Sequence, residues 1–208
     1  MVNMYSRQEN IHLATSKRIA IVGCGGVGSW TALFAANIGI RTIHIFDYDK
    51  LEVHNLNRTP FFPDDVGKLK IDAMRNVIKM YRPRCLVIGY DYPIKADTVI
   101  PRDIDSVIDC TDNLASQRNI EKLAKESNME YIRAGYDVKD YESIVNVCGT
   151  NAKIWDNVPE EVGYSTPPAP SFVIPAAIAG ALAVFAVVKN IKPNGIYQLE
   201  KLVTSEVV

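Results

Sequence analysis

The sequence contains few cysteines and no closely spaced pair of them. Its 208 residues include four, Cys24, Cys85, Cys110 and Cys148. None belongs to a CxxC pair, so the usual zinc knot is excluded and no zinc is expected. Each lies in or beside an expected core strand or glycine loop, the pattern of reduced thiols in a reducing compartment. An excess of one charge is also missing. Lys and Arg total 23 against 24 Asp and Glu, leaving a net charge of -1. No global basic field points to nucleic acid or to an anionic membrane. The first residues lack the basic-then-apolar order of a leader peptide, and no repeat, linker or low-complexity block interrupts the chain. These absences lead to the expectation of one domain, residues 1–208, in the cytoplasm.

Long hydrophobic runs are scarce, with one exception. "FVIPAAIAGALAVFAVV", Phe172 to Val188, carries no charge and reaches the lower edge of a membrane-span length. It is rich in alanine, has Pro175 in its first turn and lacks flanking basic clusters and aromatic belts. The expectation is a buried helix, in the core or at a dimer interface, whose small residues let another helix approach closely.

What the chain does contain is alternation. "RIAIVG" reads as a short buried strand, "SWTALFAANIG" as a helix stopped by Gly39, and "RTIHIFDYD" as a second strand. "GKLKIDAMRNVIKMY" is an amphipathic helix ended by Pro83. "CLVIGY" and "DSVIDC" are strands, followed by the helix "LASQRNIEKLAKES" and the strands "MEYIRAGY" and "ESIVNVCG". A polar, proline-rich stretch from Thr150 to Ser171 reads as a surface loop, with Trp155 and Tyr164 in it. "GIYQLEKLVTSEVV" reads as one or two closing strands. Strands alternating with helices predict an α/β fold. It would be a Rossmann-like, doubly wound, mostly parallel sheet with helices on both faces and antiparallel strands at its C-terminal side.

The stretch "GCGGVGS" follows the first strand. Its spacing Gly23-x-Gly25-x-x-Gly28 fits a dinucleotide-binding loop: one glycine for the turn, one for close approach to phosphate, one for packing of helix on strand. Asp47, at the end of the next strand, stands where such folds place a carboxylate on ribose hydroxyls. This much also fits a nicotinamide-dependent oxidoreductase. Three further stretches favour a nucleoside triphosphate instead. "DYDKLEVHNLNR" (Asp47 to Arg58), "GKLK" (Gly67 to Lys70) and "DCTDN" (Asp109 to Asn113) should all reach the carboxyl edge of one sheet. They supply Asn55, Arg58 and Lys70 as donors and Asp112 as a carboxylate, which suits phosphates and Mg²⁺.

In "YSRQ", "VGCGGVGS", "DYDKLEVHNLNR", "GKLK" and "DCTDN", taken in this order, the sequence resembles the ThiF/MoeB-type adenylyltransferases, relatives of the ubiquitin-activating enzymes. The resemblance runs from about Tyr5 to the end of the long apolar helix. It implies an enzyme that uses ATP and Mg²⁺ to adenylate the C-terminal carboxylate of a ubiquitin-like protein or peptide with a Gly-Gly-like tail, releasing pyrophosphate. Carried over by motif, Gly23, Gly25, Gly26 and Gly28 form the nucleotide loop, with Asp47 on the ribose and Asp49 beside it. Asn55, Arg58 and Lys70 contact the triphosphate, and Asp112 binds Mg²⁺. Arg7 reaches the ATP site of a second subunit, which implies a homodimer.

The sequence departs from that family in two ways. It lacks the two zinc-binding CxxC pairs of many members, and its stretch Thr150 to Ser171 lacks the nucleophilic cysteine often found there. Cys148 reads as a strand residue, and Cys24 and Cys110 as inert. The acyl-adenylate is therefore expected to meet a nucleophile supplied from elsewhere. Four of the site residues also have a plainer reading. Arg58, Lys68 and Lys70 could be solvated, Asp112 could cap a helix, and Arg7 lies near a terminus. A non-catalytic partner subunit is a further alternative, although such subunits tend to lose the charged phosphate ligands kept here.

Overall fold

The computed structural model describes residues 4–95, 97–139, 142–149 and 170–204. Seven strands form one sheet: β1 (Ile19–Val22), β2 (Thr42–Phe46), β3 (Leu86–Tyr90), β4 (Ser106–Asp109), β5 (Glu130–Lys139), β6 (Glu142–Gly149) and β7 (Asn194–Gln198). Their order is β3-β2-β1-β4-β5-β6-β7. β1 to β5 are parallel, whereas β6 and β7 are antiparallel to their neighbours. The expected mostly parallel sheet with antiparallel C-terminal strands is therefore observed.

Alternation along β1 divides the core in two. Ile19 and Ile21 face one side, Ala20 and Val22 the other, as the two-residue period of a strand requires. Three helices cover the first side: α1 (Gly26–Ile38), α2 (Lys70–Tyr81) and α4 (Val173–Lys189). Helix α3 (Leu114–Glu126) covers the second, packing Ile120 and Ala124 with Ile94, Ile100 and Ile104 of the preceding connection.

The apolar run becomes α4, and its small residues have the expected consequence. A Cβ on Gly180 would stand 2.9 Å from the Thr31 backbone nitrogen, so glycine is what lets α4 lie against α1. Ala176, Ala179 and Ala183 are fully buried, while Ile174 and Phe185 remain more than half exposed. No described helix is long and apolar enough to cross a membrane.

Three boundaries differ from the sequence reading. α1 opens at Gly26 rather than Ser29, because Gly25 caps the helix and two glycines of the loop belong to its first turn. "GKLK" is only partly helical. Gly67, at φ +89°, turns the chain, Leu69 bridges Lys50, and the helix begins at Lys70. The final segment is one strand followed by a short helix, α5 (Leu199–Thr204). There Glu200 accepts the Ser143 backbone N–H through both carboxylate oxygens, at 3.0 and 3.1 Å. That anchor, together with burial of Leu199, draws the segment back onto β6 instead of extending it. The proline-rich stretch with Trp155 and Tyr164 lies outside the described residues except for Pro170 and Ser171.

Candidate active site

The connection from β1 leads to α1 on one face of the sheet. The connection from β4, its neighbour, leads to α3 on the other. The two loops part at this switch point and leave a crevice at the carboxyl edge, where ligands of open α/β sheets bind. They are also in contact at their bases. Gly23 adopts φ +85°, and a Cβ there would lie 3.0 Å from the Cys110 carbonyl oxygen. Gly28 has no room for a side chain either, because its Cβ would run into the Gly23 carbonyl. The loop thus needs glycine at 23 for backbone conformation and at 28 for packing. At Gly25 no described residue lies within 4 Å of an added Cβ, which leaves room among the described residues for a phosphate at the N-terminus of α1.

The segment after β2 is folded back over this loop. Asp47 Oδ2 accepts the Cys24 N–H at 2.6 Å, and Oδ1 accepts the Asp49 N–H at 2.8 Å. Each oxygen keeps a second lone pair for a ligand hydroxyl. Burial raises the Asp47 pKa, partly offset by Lys70 and the two backbone donors. Lys70 Nζ lies 2.7 Å from Asp49 Oδ2. Burial acts against the Lys70 charge, but Asp47 and Asp49 outweigh it and the pKa is raised. Lys70 is therefore an ammonium throughout the physiological range. Lys68 instead pairs with Asp65 at 2.8 Å, so of the two lysines it is Lys70 that lies beside Asp47 and Asp49. Residues 49–51 are laced to 67–70 by the Lys50–Leu69 bridge and by bonds from Leu51 N–H to Lys68 O and Lys70 N–H to Asp49 O.

Asn55 and Arg58 come from a short 3₁₀ turn, Val53–Asn55, and its continuation. Asn55 is buried, and its Oδ1 accepts the Glu52 N–H at 3.0 Å. The Arg58 side-chain stem crosses α1 where a Cβ on Gly26 would stand 3.3 Å from its Cδ. Its carbonyl accepts the Trp30 indole N–H at 2.9 Å, and its guanidinium donates to the His54 carbonyl at 2.7 Å. The fold therefore brings Arg58 to the glycine loop from 32 residues beyond Gly26.

On the other wall, Asn113 rather than Asp112 caps α3, accepting the Ser116 N–H at 3.0 Å. Asp112 is exposed in the loop that leaves β4. Arg7 does not join the group. Its 3₁₀ turn, Ser6–Gln8, is docked at the far end of α1, where the Tyr5 ring meets Gly39 and Gln8 Nε2 donates to the Ile38 carbonyl. At 1.5 Å per residue, 13 residues of helix place it about 20 Å from the glycine loop.

Sequence reasoning missed the residues that hold these groups in place. Asp109, the fully buried last residue of β4, accepts from Thr111 and Tyr131. Gln117, also buried, donates to the Thr111 carbonyl. Asn57 donates to the Ser171 carbonyl at 2.9 Å, tying the Arg58 segment to the approach to α4. A carboxylate closing an apolar strand was a local signal for Asp109, but its Tyr131 partner is on another strand. The cysteines here are thiols at neutral pH. Burial raises the pKa of Cys24, Cys110 and Cys148 above that of a free thiol.

Sheet order, glycine loop and crevice define a Rossmann-like α/β fold with a candidate site at the switch point. The chain belongs to the ThiF family, whose sequence profile matches residues 3–156. It is 32% identical over 133 residues to the ubiquitin-like modifier-activating enzyme 5 of Drosophila grimshawi, covering 57% of this chain and 33% of that enzyme. Against the Bombyx mori enzyme of the same name it is 31% identical over 139 residues, 61% of this chain and 35% of the other. The chain thus spans about a third of the length of these relatives. Among solved structures it is similar to PaaA, at 26% identity and a TM-score of 0.65, over 86% of this chain and 58% of PaaA. Escherichia coli MccB, solved with MccA, shares the fold at 21% identity and a TM-score of 0.71, over 89% of this chain and 62% of MccB.

Proposed function

We propose that this protein is an ATP-dependent adenylyltransferase that activates the C-terminal carboxylate of a small ubiquitin-like protein or a peptide. The observations that support this reading are Arg58 lying over Gly26, Lys70 paired with Asp49, and an exposed Asp112 that is not the cap of α3, one residue beyond the Cys110–Thr111 backbone packed against Gly23. Its similarity to ubiquitin-like modifier-activating enzymes supports the same chemistry.

Nucleophile and electrophile are both anions. The substrate carboxylate attacks the α-phosphorus of ATP, an oxygen–phosphorus bond forms, and pyrophosphate leaves with the bonding pair. No side-chain base is needed, because the nucleophile is already ionised. Catalysis then rests on positioning and on cations placed where negative charge builds up. In this reading the Gly25–Gly26 backbone at the N-terminus of α1 holds phosphate, and the spare lone pairs of Asp47 take the ribose. Asn55, Arg58 and Lys70 hold the triphosphate.

The residues fit Mg²⁺ as this ion is usually held, by one or two carboxylates plus substrate phosphates. No cluster of three or more metal-binding side chains exists among the described residues, so Asp112 would share the ion with the nucleotide. When bound, the ion neutralises phosphate charge and favours departure of pyrophosphate.

Arg7 is too far along α1 to serve its own crevice. In this reading it serves the site of a second copy, and the exposed apolar residues of α4, Ile174 and Phe185, supply part of the contact in a homodimer. No covalent step on a cysteine is proposed, since Cys24 and Cys148 are buried, Cys110 is half-buried, and burial raises the pKa of all three.

The test is ATP–pyrophosphate exchange dependent on a small protein or peptide with a Gly-Gly-like C-terminus. Arg58→Ala and Asp112→Ala should each lower exchange by about 10²–10³-fold, the usual cost of one preorganised charge. Exchange unchanged in both variants would sink the assignment.

A further inference from the structure

The loop between β4 and α3 is held at one residue. Thr111 donates both its backbone N–H, at 3.0 Å, and its hydroxyl, at 2.7 Å, to Asp109 Oδ1. Its carbonyl accepts Gln117 Nε2 at 2.5 Å. All three polar groups of Thr111 are therefore committed to side chains on either side of it in the sequence.

Those side chains are themselves fixed. Asp109 is fully buried at the end of a central strand, and its other oxygen accepts the Tyr131 hydroxyl of β5 at 3.0 Å. Gln117 is 1% exposed, and its Oε1 finds no hydrogen-bond partner among the described residues. Burying half of an amide unpaired is unfavourable. An apolar side chain of similar length would fill the same space without that cost, so local stability does not account for a glutamine here. Its one bond goes to the residue that precedes Asp112.

We infer that Asp109, Thr111 and Gln117 form a positioning clamp that sets the backbone before Asp112 and so aims its carboxylate at the metal shared with the nucleotide. The inference rests on the proposed role of Asp112 as the Mg²⁺ ligand. In this reading none of the three binds the nucleotide or the metal itself. They act through the loop, as outer partners of metal ligands do, and loss of such partners typically weakens metal affinity by about 10–100-fold.

The experiment measures ATP binding by calorimetry across a Mg²⁺ series, with thermal unfolding as the check on folding. In the wild type, Mg²⁺ should strengthen ATP binding to a plateau, and Asp112→Ala should abolish that strengthening. Thr111→Val and Gln117→Met should reach the plateau only at about 10–100-fold higher Mg²⁺. Thr111→Ser, which keeps the hydroxyl, should restore the wild-type requirement. A merely structural role would lower the unfolding temperature and leave the half-saturating Mg²⁺ unmoved. That result in both Thr111→Val and Gln117→Met, with Asp112→Ala still insensitive to Mg²⁺, overturns the clamp and leaves the role of Asp112 standing. An Asp112→Ala variant with wild-type Mg²⁺ dependence overturns both.

Discussion

The carboxylate of Asp47 accepts the backbone N–H of Cys24 at 2.6 Å, joining the end of β2 to the middle of the glycine loop. A residue expected to bind ribose thus also fixes the loop that is expected to bind phosphate. Both tasks suit one carboxylate, because each oxygen accepts one internal bond and keeps a lone pair.

Removing that carboxylate should therefore affect folding and binding together. In Asp47→Ala the N–H groups of Cys24 and Asp49 lose their acceptor. Leaving the buried Cys24 donor unpaired costs about 1–3 kcal/mol, while the exposed Asp49 donor can turn to water. Denaturant unfolding should show that loss, and calorimetry should show weaker ATP binding even at temperatures where the variant is folded. Weaker binding with full stability would mean that the Cys24 bond contributes nothing to the loop.

The second prediction concerns pH. Burial raises the Asp109 pKa to about 6, against hydrogen bonds from Thr111 and Tyr131 that lower it. The folded state thus binds this proton more tightly than the unfolded chain, whose carboxyl titrates near 4. Where the folded state holds more protons, stability falls as pH rises. Asp109 should accordingly cost stability progressively between about pH 4 and pH 6, by about 3 kcal/mol once ionised. Asp109→Asn should flatten this part of the profile measured by urea unfolding. An unchanged slope in the variant would place the titration elsewhere.

The third prediction concerns association. Ile174 and Phe185 lie eleven residues apart on α4, about three turns, and are 54% and 52% exposed. If they belong to a homodimer contact, Ile174→Glu combined with Phe185→Glu should shift the mass seen by light scattering toward a monomer. The unfolding temperature of the isolated chain should hardly change, because neither side chain is in the core. If the wild type is already monomeric at high concentration, Arg7 has no second site to serve.

Much of this protein is legible along the chain. Glycine at 23, 25 and 28 after a β-branched strand already specifies a tight turn into a helix. The run of β-branched strands alternating with helices specifies a parallel sheet covered on both sides. Those signals are local: they arise from steric limits on φ and ψ and from burial periods of two and about 3.6 residues. The ThiF motifs then single out Asp47, Asn55, Arg58, Lys70 and Asp112 among the polar residues.

Only the tertiary structure decides which of those polar groups are spent and which are free. Asp109 and Asp112 lie three residues apart in one motif, yet one is buried and triply bonded while the other is exposed. Lys68 and Lys70 look alike in sequence, yet one pairs with Asp65 and the other lies beside Asp47 and Asp49. Arg7 shares the family's motif order but docks at the wrong end of α1 for its own crevice. Each of these outcomes depends on partners between strands and loops that are distant in sequence. Such pairings leave no period in the chain, because hydrogen bonds and ion pairs are fixed by where the sheet places its edges, and the sequence states that only through the whole fold.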